Sequence, residues 1–375
     1  MSKAKRLCFF HATYVLGIFV ITASSQAATR QVGPGKPYST PCAAVAAAAA
    51  GDIIEIDAAG NYAGNVCSIN KNNLTLRGVG GRPRIDAAGN NYGGKGIWVV
   101  SGNDVTIENI EFSGARVPDR NGAAIRQEGT NVTIRNCYFH DNEMGLLANP
   151  NSASNIFIEK SEFAFNGNGD GYTHNLYVNQ VRKLTLQFSY SHDSNLGQLV
   201  KSRAAETHIL YNRMVGGNST TVYEVGTPNG GKVYIIGNSI HQGPNTGNRS
   251  FIDYMLEGQY HPDNQLFVIN NTFVNDASSG TFVNMSGSAT TPAIIKNNIF
   301  TVPGTIATQA SAVKSNNYVG VAQYVNRSGY DYRLQSGSPA IQRLASTPGL
   351  TRASDQLFWV DNWSSARALF ADAEL

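Results

Sequence analysis

The stretch GQLVKSRA, residues 197–204, sets Lys201 and Arg203 two positions apart in a segment that otherwise reads as a strand. Strand alternation sends both side chains to one face, about 7 Å apart, with no acid in the stretch to offset their repulsion. A guanidinium can clamp a planar carboxylate through two parallel hydrogen bonds. A lysine whose neutral form is favoured by a neighbouring cation can accept a proton. Together the two suit removal of a proton α to a carboxylate, the cation neutralising the acid group while the base takes the proton.

An upstream segment, HNLYVN at 174–179, aligns with this one. Tyr177 stands seven residues before Leu184, and Lys201 seven before His208, so the two are expected as stacked neighbours with Asn179 beside Arg203. Tyr177 is then placed to protonate a departing oxygen, with His174 its rival at the edge of the same surface. Tyr223 or Glu224, and then Asp253, are expected to contribute substrate contacts from the following segments. The plain alternatives are that Lys201 and Arg203 are solvated cations and that Tyr177 fills a strand. His140, His192 and His241 recur at one turn position and read as turn residues.

The elements that must hold these residues repeat. VTIENIEF (105–112), VTIRNCYF (132–139), IFIEKSEF (156–163) and LTLQFSYS (184–191) share one alternating pattern. It continues through HILYNRM, VYIIGNSI, LFVINNTF and AIIKNNIF, with intervals of 23 to 33 residues between their last positions. A second strand lies between successive copies. A unit of this length cannot bury its apolar face alone, so units stack as parallel strands about 4.8 Å apart. The alternation has period 2 rather than 3.6, which excludes helical repeats. The expected fold is all-β, a parallel β-helix. Asn212, Asn238, Asn271, Asn298 and Asn317 recur at one turn and are expected to hydrogen-bond from coil to coil.

Such a stack needs covered ends. STPCAAVAAAAAGD (39–52) reads as a short capping helix with Thr40 as N-cap, Pro41 in the first turn and Gly51 as its stop. DYRLQSGSPAI (331–341) and the aromatic tail over 346–375 are expected to cover the last coil.

The helix followed by GDIIEI, the N-x-x-F turns and the closing YRLQSGSPAI resemble secreted right-handed parallel β-helix proteins of the pectate-lyase-like superfamily. The likeness covers nearly all of residues 30–345 and implies the right-handed coil. LVKSRAAETHILYNRM also resembles the K-S-x-x-N strand and turn of alginate-lyase and chondroitinase B-type lyases. That resemblance implies that Lys201 is the proton-abstracting base. The family's next coil carries an arginine in a T-L-R-H-G strand, where this chain has TVYEVG with Tyr223. The arginine's role then falls to Arg203. The paired-arginine motif of pectate lyases and the GHG and RIK set of polygalacturonases are absent.

The N-terminus has the order of a secretory signal peptide: basic MSKAKR, an apolar run, then small residues, giving residues 1–28 as signal and 29–345 as the β-helix domain. Without residues 1–28 the chain keeps 26 of its 29 basic residues against 26 acidic ones, so its charge does not indicate nucleic acid. No other segment is apolar enough to span a bilayer. In an oxidising compartment Cys42 and Cys67 are the expected disulfide, while Cys137 lies in a strand pattern as a small buried side chain. A secreted or periplasmic monomer acting on an acidic, uronic-acid-containing polysaccharide by β-elimination follows from these readings. A glycoside hydrolase, a C5-epimerase or a noncatalytic glycan-binding protein on the same scaffold are the alternatives. No cofactor is required; Glu224, Asp253 and Glu257 are acids that can serve Ca²⁺ or a hydrolase.

Overall fold

The structure is a computed structural model, described here for residues 27–341; the signal segment and the 346–375 tail lie outside the described residues. Three parallel sheets run its length, of twelve, ten and ten strands. One coil illustrates the path. Val132–Arg135 lies in the twelve-stranded back sheet, Tyr138–His140 in the side sheet and Met144–Ala148 in the front sheet, and Asn151–Glu159 returns to the back. Parallel pairing in register carries each residue type up its own column. Phe139 sits between Phe112 and Phe163, and Val132 between Val105 and Ile156. The parallel solenoid expected from the repeat is therefore the fold.

Alternation decides what fills it. Ile54, Ile107, Ile134, Ile158, Leu186 and Ile235 point inward from the back sheet and are fully buried. Phe112, Phe139 and Phe163 stack face to face with ring centroids 5.4 and 4.7 Å apart. Each such ring removed from water contributes roughly 2–3 kcal/mol, so the interior holds the coils and the outer faces are left for chemistry.

The asparagine column forms as expected. Each of Asn212, Asn238, Asn271 and Asn298 receives at its backbone N–H the side-chain oxygen of the next, ending at Asn317, at 2.8 to 2.9 Å. Upstream, Ser189, Ser161 and Cys137 occupy the same column. Cys137 is buried and free, its thiol pushed up to about 12 by burial. The residue before each column position takes a left-handed conformation, as at Asn270 (φ 58°) and Asn297 (φ 57°). Asparagine tolerates that region better than most residues, which is why Asn-Asn recurs at this turn.

At the N-terminal end a helix spans Pro41–Ala47, with the Thr40 hydroxyl accepting from the Ala43 amide. It stops at Ala48, in extended conformation, rather than at Gly51. Asp52 supplies the reason: its carboxylate accepts from the Ala49 and Ala28 amides and pairs with Arg30, drawing the chain out of the helix. Cys42 and Cys67 are bonded, tying this helix to the first front strand. At the other end Asp331–Leu334 pairs antiparallel with Tyr324–Asn326. Tyr324, Tyr332 and Ala340 pack on Val274 and Ile299, so this hairpin covers the outer flank of the side sheet. Among the described residues no helix is long and apolar enough to cross a membrane.

Candidate active site

The outward column of the front sheet runs Arg126, Leu147, Tyr177, Lys201, Gly226, Asp253, Asn284, one residue per coil. Tyr177 and Lys201 are direct neighbours, as expected. The next position is Gly226, not Tyr223 or Glu224. Counted to the paired back-strand residues Leu184, Thr207 and Val233, the spacing is seven residues from Tyr177, six from Lys201 and seven from Gly226, so a constant spacing does not fix the register. A glycine here lets the Gln198 side chain lie against the backbone beside the lysine. A Cβ at Gly226 would stand 1.8 Å from the Gln198 Oε1 and 3.2 Å from the Asp253 Oδ2, so a larger residue here would displace the Gln198 amide.

Lys201 and Arg203 stay on one face and share one counter-ion. Glu257 lies 3.3 Å from the Lys201 Nζ and also pairs with the Arg203 Nη2. It comes from the segment between Tyr254 and Gln265, inside the longest repeat interval, and the expectation of two cations without a nearby acid missed it. Burial works against the Glu257 charge, but Arg203 and Lys201 hold its carboxyl below the usual range. Arg203 also donates to the Tyr177 hydroxyl at 2.8 Å and to Asn229. Burial disfavours its charge, and Glu257 and Tyr177 outweigh that, raising its pKa. The Lys201 ammonium and the Arg203 guanidinium lie 5.3 and 5.8 Å from the Tyr177 ring centre, within cation–π range. His261 contacts the Arg203 carbonyl at 3.0 Å and braces the strand end. With its oxygen accepting from Arg203, Tyr177 keeps its own proton available for another acceptor.

His174 lies edge-on to Tyr177, ring centres 5.6 Å apart, but it is buried rather than on an open edge. Its Nδ1 accepts from the Gln198 amide at 3.1 Å, which puts the proton of the neutral ring on Nε2. Burial, then Lys201, push its pKa down to about 3. His174 is therefore neutral, a positioning group whose remaining N–H can donate.

Asp253 is also enclosed, at 3% exposure. It accepts from the Thr227 amide at 2.7 Å, and burial pushes it up to about 7 against the pull of that amide and of Lys201. Tyr223 is half-buried, its hydroxyl accepting from Asn248 at 2.9 Å, and burial raises its pKa. Asn179 lies beside Arg203 as expected, since Val178 pairs with Ser202, and its side-chain oxygen accepts from the Gln180 amide. Glu224 is fully buried, its Oε2 3.4 Å from the Gln242 amide nitrogen and its pKa raised well above the ordinary value by burial. A side chain with no exposed surface cannot touch a polymer, so Glu224 leaves the substrate-contact set. The three acids do not converge, and among the described residues no cluster of three or more His, Cys, Asp or Glu side chains is arranged to hold a metal ion. The histidine columns sit elsewhere, on the side sheet: His140 with Glu111 and Asp141, His192 with Glu162 and Asp193.

This backbone has solved counterparts. Pectate lyase Pel9A superposes with a TM-score of 0.58 at 15% identity, covering 85% of this chain and 91% of that one. The shared fold is the parallel β-helix. An alginate lyase from Paenibacillus sp. str. FPU-7 gives 0.51 at 14% identity, over 78% of this chain and 99% of the other. No family model and no curated protein matches the chain. At such identities the likeness concerns the path of the backbone, and the side chains of the site must be judged on their own geometry.

Proposed function

We propose that this chain is an exported polysaccharide lyase that cleaves a uronic-acid-containing polymer by β-elimination. The observation that carries it is the grouping of Lys201, Arg203 and the Tyr177 hydroxyl on one outward face, with neutral His174 behind them. In the proposed reaction the Arg203 guanidinium binds the sugar carboxylate and makes the adjacent C5 hydrogen more acidic. Lys201 in its neutral form accepts that proton at Nζ. The C5–H electron pair becomes the C4=C5 double bond, the C4–O4 bond breaks with its pair going to oxygen, and Tyr177 supplies the proton to O4. Glu257 occupies the cations in the free protein, and the substrate carboxylate takes its place at Arg203. The solved lyases with this backbone act on pectate and alginate, which supports the substrate class. The disulfide supports the oxidising compartment.

The test is incubation of purified protein with alginate, polygalacturonate and glycosaminoglycan uronates, following the ultraviolet absorbance of the unsaturated product. Saturated reducing ends without that absorbance would replace elimination by hydrolysis. Absence of any cleavage would sink the proposal.

A further inference from the structure

Three steps along the front column from Lys201 lies a second group of the same composition. The Arg126 Nε donates to the Asn149 Oδ1 at 3.0 Å and lies 4.0 Å from Glu128. Lys95 pairs with that same Glu128 at 2.6 Å. So Lys95, Arg126 and Glu128 repeat the arrangement of Lys201, Arg203 and Glu257: two cations held by one glutamate, with one positive charge in excess. Arg126 is largely enclosed, its side chain 19% exposed. Among the described residues its hydrogen bond is made through Nε, and its two terminal nitrogens have no hydrogen-bond partner. Burial lowers its pKa, with Glu128 the opposing influence. A half-buried guanidinium with an anchored Nε and two unused donors is pre-set for a planar anion.

The ground between the two groups is apolar. Leu147, the column residue next to Arg126, packs with Ala123 and Met144, all three buried, and the partly exposed Tyr177 lies against them. With coils about 4.8 Å apart, three steps span about 14 Å. A pyranose in an extended 1,4-linked chain advances by close to one coil, so a chain lying along the column passes Tyr177 between the two cationic groups.

We propose that Lys95, Arg126 and Asn149 form a distal subsite that binds the carboxylate of a uronate about three sugars from the cleaved bond. It rests on the reading above for the identity of the polymer and not for the chemistry at Lys201. The chain is gripped by cations at both ends of this stretch of the column, and affinity depends on length. Oligomers too short to reach Arg126 lose that contact.

The experiment measures equilibrium binding of polyuronate oligomers of graded length to the full chain and to Arg126→Gln, which keeps a hydrogen bond to Asn149 but not the charge. Arg135→Gln on the back sheet is the control, because it removes the same charge from another face. The expected result is a roughly ten- to hundredfold weaker affinity of Arg126→Gln for long chains, the value of one charge-assisted contact. The penalty shrinks as chains shorten, and melting temperatures stay equal. Equal affinity of Arg126→Gln and the parent for long chains overturns the subsite. So does an equal loss in Arg135→Gln, a loss independent of length, or failure of the parent to bind any polyuronate. Binding with the expected length dependence but without unsaturated product would overturn the lyase assignment and leave the subsite standing.

Discussion

Asp253→Asn tests whether the enclosure beside Lys201 is real. Asp253 is buried next to Gly226, with Thr227 as its amide donor, and burial holds its carboxyl near 7 in place of the usual value of 3.8. An acid whose pKa is raised on folding binds more protons in the folded state than in the unfolded one. Its stability cost is therefore absent below the unfolded pKa, grows as pH climbs from about 4 to about 7, and is complete above that. A separation of about three pH units corresponds to about 4 kcal/mol, an order-of-magnitude figure for a group this buried. Asparagine is never charged and can still accept from Thr227, so it removes that cost. For a domain of roughly 300 residues the gain at pH 8 is a rise of about 6 °C in melting temperature, with almost none at pH 4. Thermal melts of both proteins from pH 4 to 9 read it directly. A variant that is no more stable at pH 8 than the parent, or that gains equally at pH 4, would refute the argument, because the Asp253 charge would then be satisfied in the fold.

Three further outcomes follow from the site and its frame. Lys201→Ala should lower turnover by about 10²–10⁴-fold with polymer binding nearly unchanged, since a base acts in the transition state, whereas Arg203→Ala should weaken binding as well. Full turnover in Lys201→Ala, measured by product absorbance, would remove it as the base. Glu257→Gln should tighten polyuronate binding several-fold and steepen its salt dependence, because the competing carboxylate is gone while both cations remain; weaker binding in a salt titration would show that Glu257 organises the clamp instead. Replacing Cys42 and Cys67 together by serine should cost about 3 kcal/mol, as loss of a 25-residue crosslink predicts, and leave turnover intact at low temperature. A parallel fall in turnover, per folded molecule, would extend the site to the N-terminal coils.

What the sequence made legible is what alternation controls. Stacking repeats decides which residues face inward, so the coils and the asparagine column could be read from spacing alone. Loops obey no such rule. Glu257 and His261 reach the cations from a long connection whose course depends on tertiary contacts, and nothing local announces where their side chains land. The helix at 41–47 ended early for a related reason: alanine propensity favours continuing, and one carboxylate at Asp52 overrides it by capturing the Ala49 amide from outside the helix.

Glu224 shows how narrow the margin is. Glu224 stands two positions before Gly226 and shares its parity, so alternation alone would turn both outward. Aligning Glu224 with Lys201 would put a carboxylate against the cation; the actual register puts Gly226 there and leaves Glu224 ahead of the strand, fully buried beside Gln242. The consequence is chemical. A carboxylate fixed next to Lys201 would oppose an anionic polymer at the point of proton transfer. The glycine instead puts no charge at this position, and the needed negative charge is supplied by Glu257, about half exposed on a loop and able to yield its place to a substrate. The same sheet can hold either arrangement, so the charge that the polymer meets is set by which residue of TVYEVG reaches the outward column.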